Sequence, residues 1–237
     1  MDYLDLSHPD LNHNLAVEEA LLWEAEEGIR GEVLRIWEAP QWGVVMGSGG
    51  KIGEEVNLGV CESLGIPVGR RSSGGGTVVL GPGCLCFTLI LSLEIRPYLA
   101  GIQDSYVWIL GQLQKALEDS IKVQLDGFSD LQMEGQKFSG NAQQRKKRFL
   151  LHHGTLLYGM DLGKVEQLLP HPPREPGYRE GRIHREFVLN LNFSRDQLTN
   201  RLQTTFDAFR AVGNPDPARV NTLVIERYSQ HTWIGKR

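Results

Sequence analysis

Lys137 stands alone as a cation in Gly135-Gln136-Lys137-Phe138-Ser139-Gly140-Asn141-Ala142-Gln143, a run of glycines and small polar residues between apolar, strand-like stretches. Residues without bulk let a backbone approach a ligand closely, so one lysine there can meet an anion. In an arbitrary turn such a lysine simply points into water, and it is the other groups along the chain that favour the first use. The densest is Arg70-Arg71-Ser72-Ser73-Gly74-Gly75-Gly76-Thr77. Two guanidinium forks suit phosphate or carboxylate, and three glycines let successive N–H groups turn towards an anion. The spacing is neither GxxxxGK[ST] nor a GxGxxG opening a helix, so the segment is either an anion site of another kind or a flexible turn beside solvated arginines. His152-His153-Gly154-Thr155 lies a short way after Lys137. Adjacent residues on a strand face opposite ways, so at most one of these histidines reaches a shared pocket, and the pair does not make a metal site.

Several elements are expected to position these groups. Asn14 to Gly28 reads as a helix with Asn14 as N-cap and Gly28 as its stop. Glu32–Trp37 and Gly43–Met46 read as a hairpin, and Glu54–Gly65 as a helix with Val56, Val60 and Leu64 at fourfold spacing. A short strand, Ile66–Val68, leads into the arginine–glycine segment; Thr77–Leu80 and Leu85–Leu93 form a strand pair around Gly81-Pro82-Gly83. Gln103–Ile121 is amphipathic, with Val107, Leu110, Leu113 and Leu117 on one face. Short strands flank the Lys137 run, Phe149–Tyr158 is a further strand, and Asp161 caps a helix to Leu169. Pro170–Arg185, rich in proline and charge, is a long loop of the kind that is functional or disordered. Ser194–Val212 and Pro217–Tyr228 close the chain as helices. With no internal repeat, low-complexity segment or linker, residues 1–237 read as one α+β domain.

Composition narrows the classes. A net charge of −4 gives no whole-surface drive to bind nucleic acid. The longest apolar run, Cys84–Leu93, is far short of the roughly 18–20 residues that span a bilayer. The acidic start, Met1-Asp2-Tyr3-Leu4-Asp5, lacks an apolar signal core, and three cysteines do not make a disulfide framework. A cytoplasmic protein is the expectation, without nucleic-acid or membrane partners. Cys61 reads as a small core residue; Cys84 and Cys86, two apart on one strand, face the same side.

Arg70 to Val78, Gly135 to Ala142 and His152 to Leu157 resemble three signature blocks of the lipoate–protein ligase family, which is related to octanoyltransferases and to biotin–protein ligase catalytic domains. Asn14-Leu15-Ala16-Val17-Glu18-Glu19, Gly83-Cys84-Leu85-Cys86-Phe87-Thr88 and the close around Glu226-Arg227-Tyr228 and Trp233 are also similar to the family pattern. The resemblance implies an α+β catalytic domain with a mixed or antiparallel sheet flanked by helices, of the biotin/lipoate ligase kind. It implies that lipoate, or octanoate, is adenylated with ATP and Mg²⁺ to an acyl-AMP such as lipoyl-AMP. The acyl group then passes to a lysine of an apo lipoyl carrier domain, in a 2-oxo acid dehydrogenase E2 or the glycine cleavage H protein.

By position, Lys137 would touch the acyl carbonyl and the α-phosphate. Arg70, Arg71, Ser72, Ser73, Gly74, Gly75, Gly76 and Thr77 would line the acyl and phosphate pocket, with Ser139, Gly140, Asn141 and Ala142 beside the lysine. Asp130 would help hold the adenylate or Mg²⁺, and His153, Gly154 and Thr155 would form a strand on the pocket wall. Two negative charges develop along such a path, on phosphorus-bound oxygens and then on the carbonyl oxygen, which is what a fixed cation in a dry site stabilises.

Larger bacterial members carry a C-terminal accessory domain, and this sequence ends at Arg237 without one. A separate accessory subunit, or delivery of preformed lipoyl-adenylate, is therefore one expectation. A rival is an ATP-independent octanoyltransferase working through a cysteine thioester with acyl carrier protein, although no cysteine follows Asp161, where such a nucleophile is expected. Another is a protein that binds lipoyl-adenylate without transferring it. The basic run Arg145-Lys146-Lys147-Arg148 is either a solvated hairpin tip or a docking point for an acidic carrier domain.

Overall fold

The computed structural model describes residues 1–236. Nine residues of the strand Cys84–Ser92 are buried on both faces and separate two cores. Because side chains alternate, Cys84, Cys86 and Ile90 enter one core, while Leu85, Phe87, Leu89 and Leu91 enter the other. This strand is β6 of eleven. The others are β1 (Asp2–Asp5), β2 (Val33–Trp37), β3 (Gly43–Met46), β4 (Val68–Arg70), β5 (Val78–Leu80), β7 (Gln124–Asp126), β8 (Asp130–Met133), β9 (Gln136–Arg145), β10 (Phe149–Leu157) and β11 (Arg210–Ala211). One sheet of eight runs β11-β1-β2-β6-β10-β9-β8-β7, and a second of three runs β4-β3-β5. In the large sheet β1 is parallel to β2 and β11, and the remaining pairs are antiparallel.

The helices are α1 (Leu11–Glu26), α2 (Ile52–Glu55), α3 (Leu58–Ser63), α4 (Ile102–Leu117), α5 (Leu162–Leu168), α6 (His184–Phe187), α7 (Arg195–Phe206), α8 (Pro217–Leu223) and α9 (His231–Ile234). Helix α1 packs in the first core together with β3 and β5 of the small sheet, whereas α4 and α7 enclose the second core against the other face of the large sheet. Most of α1 is buried, which removes the one-sided periodicity of a surface helix. Asp10, not Asn14, is its N-cap, accepting from the His13 N–H at 2.9 Å. Asn14 lies inside the helix, where its side chain holds the His8 and Asp10 carbonyls.

Several expectations are corrected. Strands β2 and β3 belong to different sheets and make no hairpin, because β2 finds its partners in β1 and β6. Likewise β5 pairs with β3 and not with β6. Glu54–Gly65 breaks into α2 and α3, Val107 of α4 is exposed, and the helix begun at Arg195 ends at Asp207 in a left-handed conformation before β11. The Lys137 run is not a turn: it is β9 itself, and the turn is Glu134-Gly135, both at positive φ. Loop 170–187 contains a short 3-10 turn at Gly177–Arg179 and ends in α6. At the basic tip, Arg145 donates to the Leu99 and Ala100 carbonyls at 2.7 and 2.8 Å, Lys146 sits 3.4 Å over the Trp23 ring and Arg148 is bound to Glu26, so three of its four cations are engaged within the fold. No helix among the described residues is long and apolar enough to cross a membrane.

Candidate active site

Two cavities meet at Lys137. The larger, about 820 Å³, is walled by Ser48–Lys51, Gly74–Val79, Phe128–Asp130, Lys137–Gly140 and residues of the 170–188 segment. The smaller, about 130 Å³, is lined mainly by apolar side chains, Leu15, Trp37, Val45, Leu80 and Cys86, with Glu18, Arg71, Asn141, Ala142, His153 and Gly154 on its sides. Gly75, Gly76, Thr77, Ser129, Lys137, Gly140 and Thr155 border both.

Strand β9 carries Lys137 to this junction, and its Nζ lies 2.8 Å from Asp130 Oδ1 on the paired strand β8. The other Asp130 oxygen accepts from the Tyr178 hydroxyl at 3.0 Å, which joins the 170–187 segment to the junction. Gly140 makes room for the lysine, since a Cβ there would stand 2.9 Å from its Nζ. Thr155 faces the same space from β10 and lies 3.5 Å from the Gly140 N–H.

The arginine–glycine segment divides by alternation. Arg71 turns inward: its Nε donates to Ser73 Oγ at 3.0 Å, and its Nη2 donates to the Gly74 and Gly76 carbonyls. Burial lowers its pKa to about 10, which still leaves it cationic at neutral pH. With those carbonyls held by Arg71, no described residue accepts a backbone hydrogen bond from the N–H of Gly74, Gly75 or Gly76. Gly75 is at φ +88, and a Cβ on Gly47 would meet the Gly75 carbonyl oxygen at 2.0 Å, so two glycines allow the 47–50 and 74–76 loops to touch.

Arg70 and Ser72 point elsewhere. Arg70 lines neither cavity; it donates to the Gly47 and Gly50 carbonyls at 3.0 and 2.8 Å and to the Ile234 carbonyl at 2.8 Å, so its place is structural. Ser72 donates to Gln144 on β9. Thr77 borders both cavities, but its hydroxyl is bound to Glu55 at 2.6 Å.

Behind the glycine loop runs a buried chain. Ser73 Oγ is 2.6 Å from His153 Nε2, and His153 Nδ1 is 2.6 Å from Glu18 Oε2. The other Glu18 oxygen accepts from Thr88 at 2.6 Å and from Trp37 at 3.0 Å. Burial alone would raise the Glu18 pKa, but His153, Arg35 and these hydrogen bonds hold it at about 2. The arrangement is fully satisfied when Ser73 donates to His153 and His153 donates to Glu18. It fixes the wall of the smaller cavity and leaves neither His153 nitrogen free. His152 faces the opposite way, as alternation requires, between Gln143 and Asn141; burial and the neighbouring His153 lower its pKa to about 3. Asn141 also donates to the Ser129 carbonyl and to Ser139 Oγ, and Gly154 leaves it space. Of these residues, sequence reading had not assigned Glu18 a place at the site, nor the Ser48–Lys51 loop. The single legible signal for Glu18 was its place in the Asn14–Glu19 block.

A protein-held Mg²⁺ finds a poor donor set at Asp130. Both of its oxygens are engaged, and it belongs to no cluster of three metal-ligating groups among the described residues. The three cysteines are free and buried; of them Cys86 borders the smaller cavity, and burial with the neighbouring Cys84 pushes its thiol well above the ordinary value.

Residues 10–210 match the family described as the lipoyl protein ligase A/B catalytic domain. A Mycoplasma pneumoniae protein named "Probable lipoate-protein ligase A" is 34% identical over 157 residues, which is 66% of this chain and 45% of that one. An octanoyltransferase, LipM, of Carboxydothermus hydrogenoformans is 31% identical over 174 residues, 66% of this chain and 64% of that relative. The chain spans about half the length of the first curated relatives it matches, 45% and 57%. Among solved structures, lipoate-protein ligase A bound with ATP superposes with a TM-score of 0.83 at 23% identity, covering 99% of this chain and 98% of that one. A bi-partite lipoate protein ligase of Thermoplasma acidophilum, described with its E2 lipoyl domain, gives 0.81 at 22% identity over 99% and 96%. The fold is thus that of the lipoate ligases, and the matched residues include Arg71, the glycine loop, Lys137 and the His153 strand: the chain belongs to the lipoyl protein ligase A/B catalytic-domain family.

Proposed function

We propose that this chain joins lipoate, or the related octanoyl group, to AMP and passes the acyl group to a lysine of a lipoyl carrier domain. The observation that carries this reading is the position of Lys137 at the meeting point of a narrow, largely apolar cavity and a larger one whose mixed lining includes Lys51, Asp130, Arg174 and Arg179. The narrow cavity suits an acyl chain, whose carboxylate would end at the lysine. The larger one suits a nucleotide whose α-phosphate meets the same Nζ and the unengaged amides of Gly74–Gly76. Attack of the carboxylate oxygen on the α-phosphorus forms the acyl-adenylate and releases pyrophosphate. Attack of the acceptor amine on the acyl carbonyl then forms the amide and releases AMP. In both steps negative charge grows on oxygens beside Lys137, where a fixed cation stabilises the transition state more than the ground state. No protein nucleophile is required.

The matching ATP-bound and E2-associated ligases support ATP as co-substrate and an E2 lipoyl domain as acceptor; the glycine cleavage H protein is an acceptor on the family resemblance alone. The bi-partite relative supports a separate accessory chain as a partner. The test is incubation of the protein with lipoate or octanoate, ATP, Mg²⁺ and an apo lipoyl domain, read by intact mass, in parallel with preformed lipoyl-adenylate. Lys137→Ala should lower transfer by on the order of 10²–10³ while leaving the melting temperature near wild type. Substantial transfer by that variant would overturn the reading.

The similarity to a LipM octanoyltransferase favours a second reading, acyl transfer through a cysteine thioester. Cys86 is the one thiol bordering either of these two cavities, and its raised pKa keeps it protonated and unreactive at neutral pH. Cys86→Ala distinguishes the two: it retains activity in the adenylate reading and loses it in the thioester reading.

A further inference from the structure

Two guanidinium groups line the larger cavity, the exposed Arg174 and the buried Arg179. Arg179, on the 170–187 wall, is 4% exposed, borders the cavity, and its Nη2 is buried without a hydrogen-bond partner among the described residues. The rest of the group is held: Nε donates to the Arg182 carbonyl at 2.9 Å and lies 3.4 Å from Glu175, and the guanidinium carbon sits 4.8 Å over the Phe187 ring. Glu175, the nearest carboxylate, is shared with His171 at 3.0 Å and with the Gly181 N–H. A guanidinium pinned along one edge and one face, with a desolvated nitrogen left over, is costly unless an anion completes it.

Resting on the adenylate reading above, we infer that Arg179 binds the β- and γ-phosphates of the nucleotide and then the pyrophosphate that leaves. The base and ribose carry no anion to match an orphaned guanidinium, and the α-phosphate is already assigned to Lys137 and the glycine amides. The terminal phosphates are the remaining negative groups of the ligand, and planar Nη donors fit their oxygens. In the step concerned, the bond from the lipoate carboxylate oxygen to the α-phosphorus forms as the bond from that phosphorus to the β-bridging oxygen breaks. The electron pair of the broken bond leaves on pyrophosphate, beside Arg179. Because Arg179 shares its segment with Tyr178, which binds Asp130, the same piece of wall touches both the leaving group and the Lys137 pair.

The experiment compares the wild-type chain with Arg179→Gln and Arg179→Lys. Binding of inorganic pyrophosphate and of ATP is measured by calorimetry with lipoate present, and transfer to an apo lipoyl domain is measured from ATP and from preformed lipoyl-adenylate. Arg179→Gln should weaken pyrophosphate and ATP binding at least about tenfold, with Arg179→Lys between it and wild type. The loss with ATP should exceed the loss with lipoyl-adenylate by a similar factor. Equal losses with both donors, or unchanged pyrophosphate binding, would overturn the inference and assign Arg179 to holding the wall. A wild-type chain that uses lipoyl-adenylate but binds neither ATP nor pyrophosphate also overturns it, while leaving the acyl-adenylate site intact. Failure of the wild type to bind or use lipoyl-adenylate refutes the underlying reading instead.

Discussion

Glu18 is the residue on which the site's wall depends, although it touches neither of the expected reacting atoms. Its pKa falls from the ordinary 4.5 to about 2, a shift worth roughly 3 kcal/mol. A depressed carboxylate pKa contributes stability that is present above about pH 4.5 and is lost as the pH falls towards 2. Glu18→Gln should therefore cost about 3 kcal/mol in urea denaturation at pH 7, and the gap from wild type should narrow progressively below pH 4.5. A gap of constant size from pH 7 to pH 3 would show that the Glu18 charge is not what matters. Residue types and spacing marked the Arg70–Gly76 segment, the Lys137 run and the His152–Thr155 strand, and the family resemblance singled out Lys137 and His153 within them. The adjacent pairs were harder. Arg70 and Arg71, or Ser72 and Ser73, are equivalent as letters, but an extended backbone turns neighbours to opposite sides, and only the sheet decides which side is the cavity. Glu18 was obscured because a helix buried all round has no polar face to mark an inward carboxylate as exceptional.

Between elements, the site depends on how closely two loops approach. Gly47→Ala would force a Cβ to within 2.0 Å of the Gly75 carbonyl oxygen, whereas Gly49→Ala meets nothing within 4 Å. The first should destabilise by about 1–3 kcal/mol and weaken ATP binding through the displaced glycine amides; the second should stay within about 0.5 kcal/mol of wild type. Calorimetric melting of both variants with and without ATP checks this. The local reading found β2, β3, β6, β10 and α4 as elements, since their apolar runs and periodicity are strong. It paired β2 with β3 wrongly because nearness in sequence stood in for partnership, while the true partners of β2, on β1 and β6, are set by which faces share a core. The 170–187 segment, where proline removes periodicity, is legible in the sequence as a loop whose Tyr178, Arg182 and His184 could reach a ligand or which could act as a lid; which of its residues line the cavity is set by the fold alone.

Taken whole, the molecule ties residues 233–236 to its site. Arg70 joins the Ile234 and Lys236 carbonyls to those of Gly47 and Gly50, and Trp233 Nε1 donates back to the Arg70 carbonyl at 2.9 Å. On α1, Glu19 holds Tyr228 at 2.6 Å and also binds Arg227, while its neighbour Glu18 serves the cavity. Arg70→Met, which keeps bulk but removes the donors, should leave buried carbonyls unpaired and lower stability by on the order of 3 kcal/mol. It should also speed proteolytic clipping within residues 231–236. Clipping at the wild-type rate, with stability unchanged, would show that the last turn is held by other contacts.

The strand order places β1 between β2 and β11, with Tyr3 opposite Ala211 and Asp2 bound to Arg210. During synthesis, then, β1 gains its outer neighbour only after some two hundred further residues have left the ribosome. Until then one edge of β1 stays open, a template for another chain. Release of nascent chains halted before β11 should yield more aggregate than release of chains halted just after it.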